Sequence, residues 1–182
     1  LKVENLTYKD RFDVMKLDGV SFTVRNKEIV GIAGVEGNGQ SELIEIITAN
    51  LRARSGQVLF KNEDITKASI DHVRKLGMSY VPEDRLYNGC AAIMSVQENM
   101  IVSNIDSFAK KSKLIDFKKV KEHCKALIKE YNVKTKDENQ PIKSLSGGNI
   151  QKAIVAREFC AGSDLLVLDQ PTRGVDVGAM NF

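Results

Sequence analysis

No apolar run in this 182-residue sequence approaches the ~18–20 residues needed to cross a bilayer, and its opening LKVENLTYKD lacks the pattern of a secretory signal. A membrane role is therefore expected only through partner chains. Cysteine is scarce: Cys90, Cys124 and Cys160 are odd in number, far apart and without a CxxC pair. That argues against a disulfide framework or a thiolate zinc site and predicts buried thiols in a reducing cytosol. Charge of one sign is not in excess either. Against 24 Asp plus Glu stand 27 Lys plus Arg, a net charge of +3 that points to no nucleic-acid partner, while a pI of 8.7 permits an acidic ligand. Internal repeats and low-complexity segments are missing as well. What remains is an ordinary globular mix, 42% apolar and 28% charged, long enough for one domain with a sizeable core.

Residues 1–6 and 20–25 alternate apolar and polar side chains, as half-buried strands do, with a polar loop between them. The run EIVGIA (28–33) predicts a strand that enters a glycine-rich turn at Gly34. After it, 41–49 places Leu43, Ile44, Ile46 and Ile47 at helical spacing. Further strands are expected at 56–60, 78–81 and 165–168, a turn at KNED (61–64), and helices at 70–76 and 150–160. From 95 to about 131 the pattern is helical and lysine-rich, with Phe117, Val120, Cys124, Leu127 and Ile128 on one stripe. The interspersed Asp116, Glu122 and Glu130 make the lysines a solvated face. The expected fold is α/β, a mostly parallel core sheet with antiparallel N-terminal strands (1–84 and 144–182) and an inserted helical lobe (85–143).

The stretch Gly34-Val-Glu36-Gly37-Asn38-Gly39-Gln40-Ser41 fits the phosphate-loop spacing G-x-x-x-x-G-K-[ST] everywhere except at the lysine. Glycines at 34, 37 and 39 let successive N–H groups turn toward a phosphate, and the following helix adds its positive end. Ser41 stands where a hydroxyl would ligate Mg²⁺. Gln40 replaces the cation that would neutralise the β- and γ-phosphates, and Glu42 adds a negative charge. Exchanging a charge-assisted contact for a neutral one weakens binding by about 1–2 kcal/mol, roughly tenfold. A tight strand-to-helix turn with no ligand would use the same glycines.

Two further motifs bear on that choice. LSGGNIQK (145–152) heads a predicted helix, and LLVLDQPTRGVD (165–176) follows it. With them the sequence resembles the nucleotide-binding domain of ABC transporters over nearly its whole length, 1–180. LSGG matches the family signature, LLVLD the Walker B strand, and the stretch ending at Asp176 the D-loop. GVEGNGQSEL, YVPEDR, LSGGNxQK and PTRGVDVGA resemble the second half of the double-domain ATPases that serve simple-sugar and nucleoside importers.

The resemblance implies ATP and Mg²⁺ as cofactors, with domains paired head to tail so that each ATP lies between one phosphate loop and the other domain's LSGG. Gly34, Glu36, Gly37, Asn38, Gly39, Gln40, Ser41 and Glu42 would cradle phosphate. Ser146, Gly147, Gly148 and Gln151 would face the partner's nucleotide. Asp169 would reach Mg²⁺ with Ser41, and Asp176 would lie at the domain–domain contact. Tyr8 or Phe12 stacks on adenine, or else is a packing aromatic. His72 and His123 read as surface residues. Two departures weaken catalysis: Gln170 stands where a catalytic glutamate follows Walker B, and Glu83 where a glutamine senses the γ-phosphate. Gln170 also leans the resemblance toward the nucleoside type.

Implied partners are an upstream nucleotide-binding domain of the same chain, integral membrane permease subunits and, indirectly, a solute-binding protein, at the cytoplasmic face of the membrane. The sequence is expected to be the degenerate half, incomplete at its C-terminal side, with the family's switch histidine beyond Asp176 and the isolated fragment inactive. The alternative is a stand-alone ABC-type ATPase or regulatory module. Such proteins keep the lysine and the glutamate that 40 and 170 lack. A small GTPase would need an N-K-x-D motif, which is missing.

Overall fold

In the N-terminal strands the buried positions are Val3, Leu6 and Leu17, and the three-residue step from Val3 to Leu6 breaks strict alternation. Asn5, at φ 49°, absorbs the extra residue as an irregularity in the ladder, so both apolar side chains face the same core. This computed structural model describes residues 1–110 and 112–173, and Asp176 lies outside them. Two compact units make up the chain, residues 1–78 and 79–182.

In the first unit, strand β1 (Lys2–Lys9) pairs antiparallel with both β2 (Met15–Thr23) and β3 (Ser55–Phe60), and β3 pairs with the short β4 (Glu63–Asp64), in the order β2-β1-β3-β4. The β1–β2 connection is shorter than the sequence pattern predicts. Asp10 Oδ1 accepts the N–H groups of Phe12 (2.8 Å) and Val14 (3.0 Å), closing a tight turn that lets both strands run on. At KNED only Lys61 and Asn62 turn, both with positive φ as a tight hairpin requires, and Glu63 already pairs with Phe60. Helix α1 (Gln40–Ile47) buries Leu43, Ile46 and Ile47. Helix α2 (Ile70–Lys75) is capped by Ser69, whose side chain accepts the His72 N–H.

The expected strand at 28–33 does not form. No strand among the described residues pairs with it, and Ile29 is 98% exposed. A strand of a parallel sheet is held by neighbours on its edges, and an apolar run does not supply them.

The second unit contains β5 (Met78–Val81), α3 (Val96–Ile101), a 3₁₀ stretch (Val102–Phe108), α4 (Phe117–Glu130), α5 (Gly147–Phe159) and β6 (Leu165–Leu168). Strands β5 and β6 hydrogen-bond to each other and run the same way: Ser79 meets Ser163 at one end, and the Asp169 N–H donates to Val81 O at the other. Ser95 and Glu98 form a reciprocal capping box on α3, and Asp116 caps α4. The core joins Val81, Val96, Cys124, Leu127, Ile142 and Ile154.

Phe117 departs from the predicted stripe. It is the first residue of α4, before the helix has turned its apolar side inward, and it is 72% exposed. His123 is half-buried against the Phe108 ring, centroids 5.0 Å apart, and burial lowers its pKa. His72 lies at the surface beside Glu63. Of the cysteines only Cys124 is fully buried, with its thiol pushed up to about 12 by burial. Cys90 is half-buried and Cys160 exposed, just past the end of α5.

A buried ion pair ties this unit together. Arg157 Nε bonds Glu158 Oε1 at 2.7 Å, while its other nitrogens donate to Asn99 O (3.2 Å) and Gly89 O (3.0 Å). Glu158 also accepts from Ser103 Oγ (2.8 Å) and the Tyr80 N–H (3.3 Å). Strand β5, helix α3 and helix α5 thus converge on one pair of adjacent residues. Removing one partner strands the other charge in the core. Arg157→Met is therefore expected to lower unfolding stability by about 3–5 kcal/mol in a urea titration. Arg157→Met with Glu158→Gln should recover part of that loss. A double variant weaker than the single one would contradict the assignment.

Candidate functional site

In the first unit, Gly39 is the N-cap of α1 at φ 96°, ψ 1°, a left-handed conformation, and no side chain caps the helix. A Cβ there would fall within 3.1 Å of the Leu17 side chain and collide with the Lys16 carbonyl. With only hydrogen at this point, the loop lies directly on β2. The helix therefore starts with first-turn N–H groups that no side chain satisfies, the arrangement an anion fits.

Gln40 does not extend toward such an anion. Its Nε2 donates to Val35 O at 3.3 Å, folding the amide back across Gly34. Lys16 Nζ reaches Gly37 O from β2, also at 3.3 Å. Ser41 is exposed in the first turn, Glu42 is half-buried beside it, and Gly34, Glu36, Gly37 and Asn38 are exposed along the loop. Burial, and then the nearby Glu42, raise the Glu45 pKa. Tyr8 is half-buried in β1 opposite Leu17. Phe12 is 71% exposed at the β1–β2 turn, with the Arg11 guanidinium 4.8 Å from its ring centre.

In the second unit, Ser146 is the N-cap of α5 but gives it no side-chain hydrogen bond. Its Oγ accepts instead from Asn149 Nδ2 (2.8 Å), and Asn149 Oδ1 accepts the Lys134 N–H (2.7 Å). The hydroxyl is thereby held in one orientation, with the first-turn N–H groups of Gly147 and Gly148 uncapped behind it. The Arg85 guanidinium lies so close over Gly147 that a Cβ there would come within 2.6 Å of Nη2.

Arg85 Nη1 also donates to Arg173 O (2.9 Å), Glu83 forms an ion pair with Arg173, and Gln151 Nε2 donates to Pro171 O (3.0 Å). The YVPEDR segment, the start of α5 and the turn after β6 are therefore joined by polar contacts. Asp169 is buried at the end of β6, and Gln170 is exposed with φ 43°. Sequence reasoning chose Glu83 and Gln151 but missed Lys16, Arg85 and Arg173. The last two lie inside quoted motifs, where a charge within a motif was the available signal. Lys16 carries no motif signal at all.

Both helix N-termini suit a polyphosphate. Among the described residues no group of three or more His, Cys, Asp or Glu could hold a metal alone.

The two loop glycines should respond differently to substitution. At Gly39 the obstacle is backbone and φ is positive, so Gly39→Ala is expected to destabilise by about 1–3 kcal/mol in thermal melts. At Gly34 the obstacle is the movable end of Gln40, and Gly34→Ala should change stability by less than about 1 kcal/mol. Equal effects at the two positions would refute this account of the loop.

Comparison with known proteins agrees with the motifs. The family model described as ABC transporter matches residues 17–173. The nucleoside import ATP-binding protein NupA of Lactococcus lactis is 39% identical over 100% of this chain and 36% of its own length. The ribose import ATP-binding protein RbsA of Clostridium perfringens is 39% identical over 98% of the chain and 35% of its own length. This chain thus spans about a third of those relatives. Among solved structures, the dimeric ATP-binding cassette MJ0796 with ADP and Pi shares the fold (TM-score 0.83, 21% identity, 99% of this chain and 78% of that one). A nucleotide-free ATP-binding cassette from an ABC transporter aligns at TM-score 0.77 and 26% identity over 98% of this chain and 72% of that one. By its family match, its relatives and its fold, this α/β chain belongs to the ABC transporter family.

Proposed function

We propose that this chain is an ATP-binding domain of an importer for simple sugars or nucleosides, in the half whose own phosphate loop is degenerate and whose LSGG completes a partner's site. The observation that carries the reading is the contrast between the two helix starts. At α5 the Ser146 hydroxyl is fixed by Asn149 and the glycine N–H groups stand uncapped. At α1 the side chain in the lysine position is folded onto Val35 O. The imported solutes named for NupA and RbsA supply the substrate class. The membrane permease, the paired upstream domain and the solute-binding protein belong to the same proposal, as do a position at the cytoplasmic face of the membrane and a helical lobe over 85–143. No described helix is long and apolar enough to cross a membrane.

When bound, MgATP would supply the γ-phosphoryl group whose hydrolysis drives transport. This chain's residues would serve two different nucleotides, its own at the phosphate loop and the partner's at LSGG. The N–H groups at Gly39–Ser41 would hold phosphate oxygens and the Ser41 hydroxyl would face the metal, and Asp169 is proposed as a metal contact from its motif. Across the pair, Ser146, Gly147 and Gly148 donate to the partner's nucleotide. At its own site, position 170 carries an amide with no basic lone pair, so water there is not activated. Loss of a positioned base lowers rates by about 10²–10⁴-fold.

In the full-length protein with its permease, Ser146→Arg should abolish most ATPase activity, since a bulky cation replaces the donor facing the partner's phosphate. Gln170→Ala should leave activity within about twofold, because no base is removed. Comparable losses in the two variants would sink the asymmetric reading. Gln40→Lys should tighten MgATP binding about tenfold by calorimetry, since it restores a charge-assisted contact. Unchanged affinity in that variant would count against phosphate binding at this loop.

A further inference from the structure

We propose that Lys16 supplies, from strand β2, the cation that the phosphate loop lacks at position 40. The inference rests on the reading that this loop holds the phosphates of a nucleotide, and assigns a residue to that task from outside every motif. Three observations carry it. First, the Lys16 ammonium is at the loop itself, donating to Gly37 O at 3.3 Å. An ammonium has three donors, and this contact uses one, so two remain for phosphate oxygens. Second, the backbone that carries the lysine is anchored. The Lys16 carbonyl occupies the space a Cβ at Gly39 would need, so β2 and the start of α1 touch backbone to backbone at this residue. Third, no carboxylate among the described residues forms an ion pair with Lys16, whereas Lys2, Lys9, Lys75 and Lys121 each have an acidic partner. The acidic residues of the loop and first turn, Glu36 and Glu42, leave the loop without a positive side chain of its own, and Gln40 is folded away onto Val35 O.

A lysine in the loop sequence and one reaching in from a neighbouring strand act alike in Coulomb terms, since charge acts through distance rather than chain position. They differ in precision. A flexible stem entering from the side provides a point charge with rotatable donors, suited to holding phosphates and less suited to following charge that develops during transfer. Lys16 therefore contributes to binding rather than to turnover.

The test is calorimetry on the full-length protein, with the partner domain's own phosphate loop disabled so that only this site is read. Lys16→Met, which keeps an unbranched stem and removes the charge, should raise the Kd for MgATP and for MgADP about five- to tenfold and leave that for adenosine unchanged. Lys16→Arg should restore most of the affinity. In a Gln40→Lys background the loss caused by Lys16→Met should be smaller than in the parent, because two cations then share the phosphates. Thermal melts of the nucleotide-free variants should match the parent, as the loop rests on the Lys16 backbone and not on its side chain. If the parent binds MgATP and Lys16→Met binds it equally well, Lys16 is only a loop staple and the proposal is overturned while the nucleotide-site reading stands. If the parent binds no MgATP, that reading falls and takes the proposal with it. Equal losses for adenosine and MgATP would also overturn it, since they would mean a general disturbance of the pocket and not a lost phosphate contact.

Discussion

Two helices of this chain begin with backbone donors that no side chain caps. A helix begins with N–H groups that have no partner inside it, and most helices close them with a side chain. Here α2, α3 and α4 do so, through Ser69, Ser95 and Asp116. Helices α1 and α5 do not. The contrast lies in one molecule, so it does not reflect a sequence poor in capping residues. Ser146 is itself a capping residue in the right place, and Asn149 draws its hydroxyl away from the helix it could cap. The two uncapped helices are those headed by the phosphate-loop and signature motifs.

Much of this was legible because it is local. The strands at 78–81 and 165–168 were placed within a residue, since each is a short apolar run bounded by a breaker or a polar stop. The start of α1 followed from glycine spacing, and the family followed from motif order. What escaped was whatever needs a second segment to define it. The run at 28–33 reads as a strand but has no pairing partner among the described residues. Phe117 fits the apolar stripe by periodicity, yet at the first position of α4 it faces water. Lys16 and Arg173 acquire meaning only from what they touch across the fold, which no spacing rule encodes.

Within the second unit the signature helix is held at both ends. Arg85 covers Gly147 at its start, and the Arg157–Glu158 pair fixes its last turn against α3 and β5. Glu83 and Arg85 act through adjacent contacts on the turn after β6, so a displacement of the YVPEDR segment would be felt both at Gly147 and at Arg173. Partly exposed ion pairs contribute modestly to stability. Their value here lies in geometry, because three segments distant in sequence share one set of donors and acceptors.

The orientation of the Ser146 hydroxyl rests finally on the amide of residue 134, which donates to Asn149 Oδ1. That contribution comes from the main chain, and nineteen of the twenty amino acids bring the same N–H; only proline does not. Asn149, by contrast, works through its side chain, accepting at one atom and donating at the other, a dual capacity that glutamine shares at a different reach and aspartate lacks. The two positions hold the same hydroxyl in place and yet are free to drift to very different degrees. The side chain at 134 is thus left free by this contact while that at 149 is bound by it, although removing either contact would release the same serine.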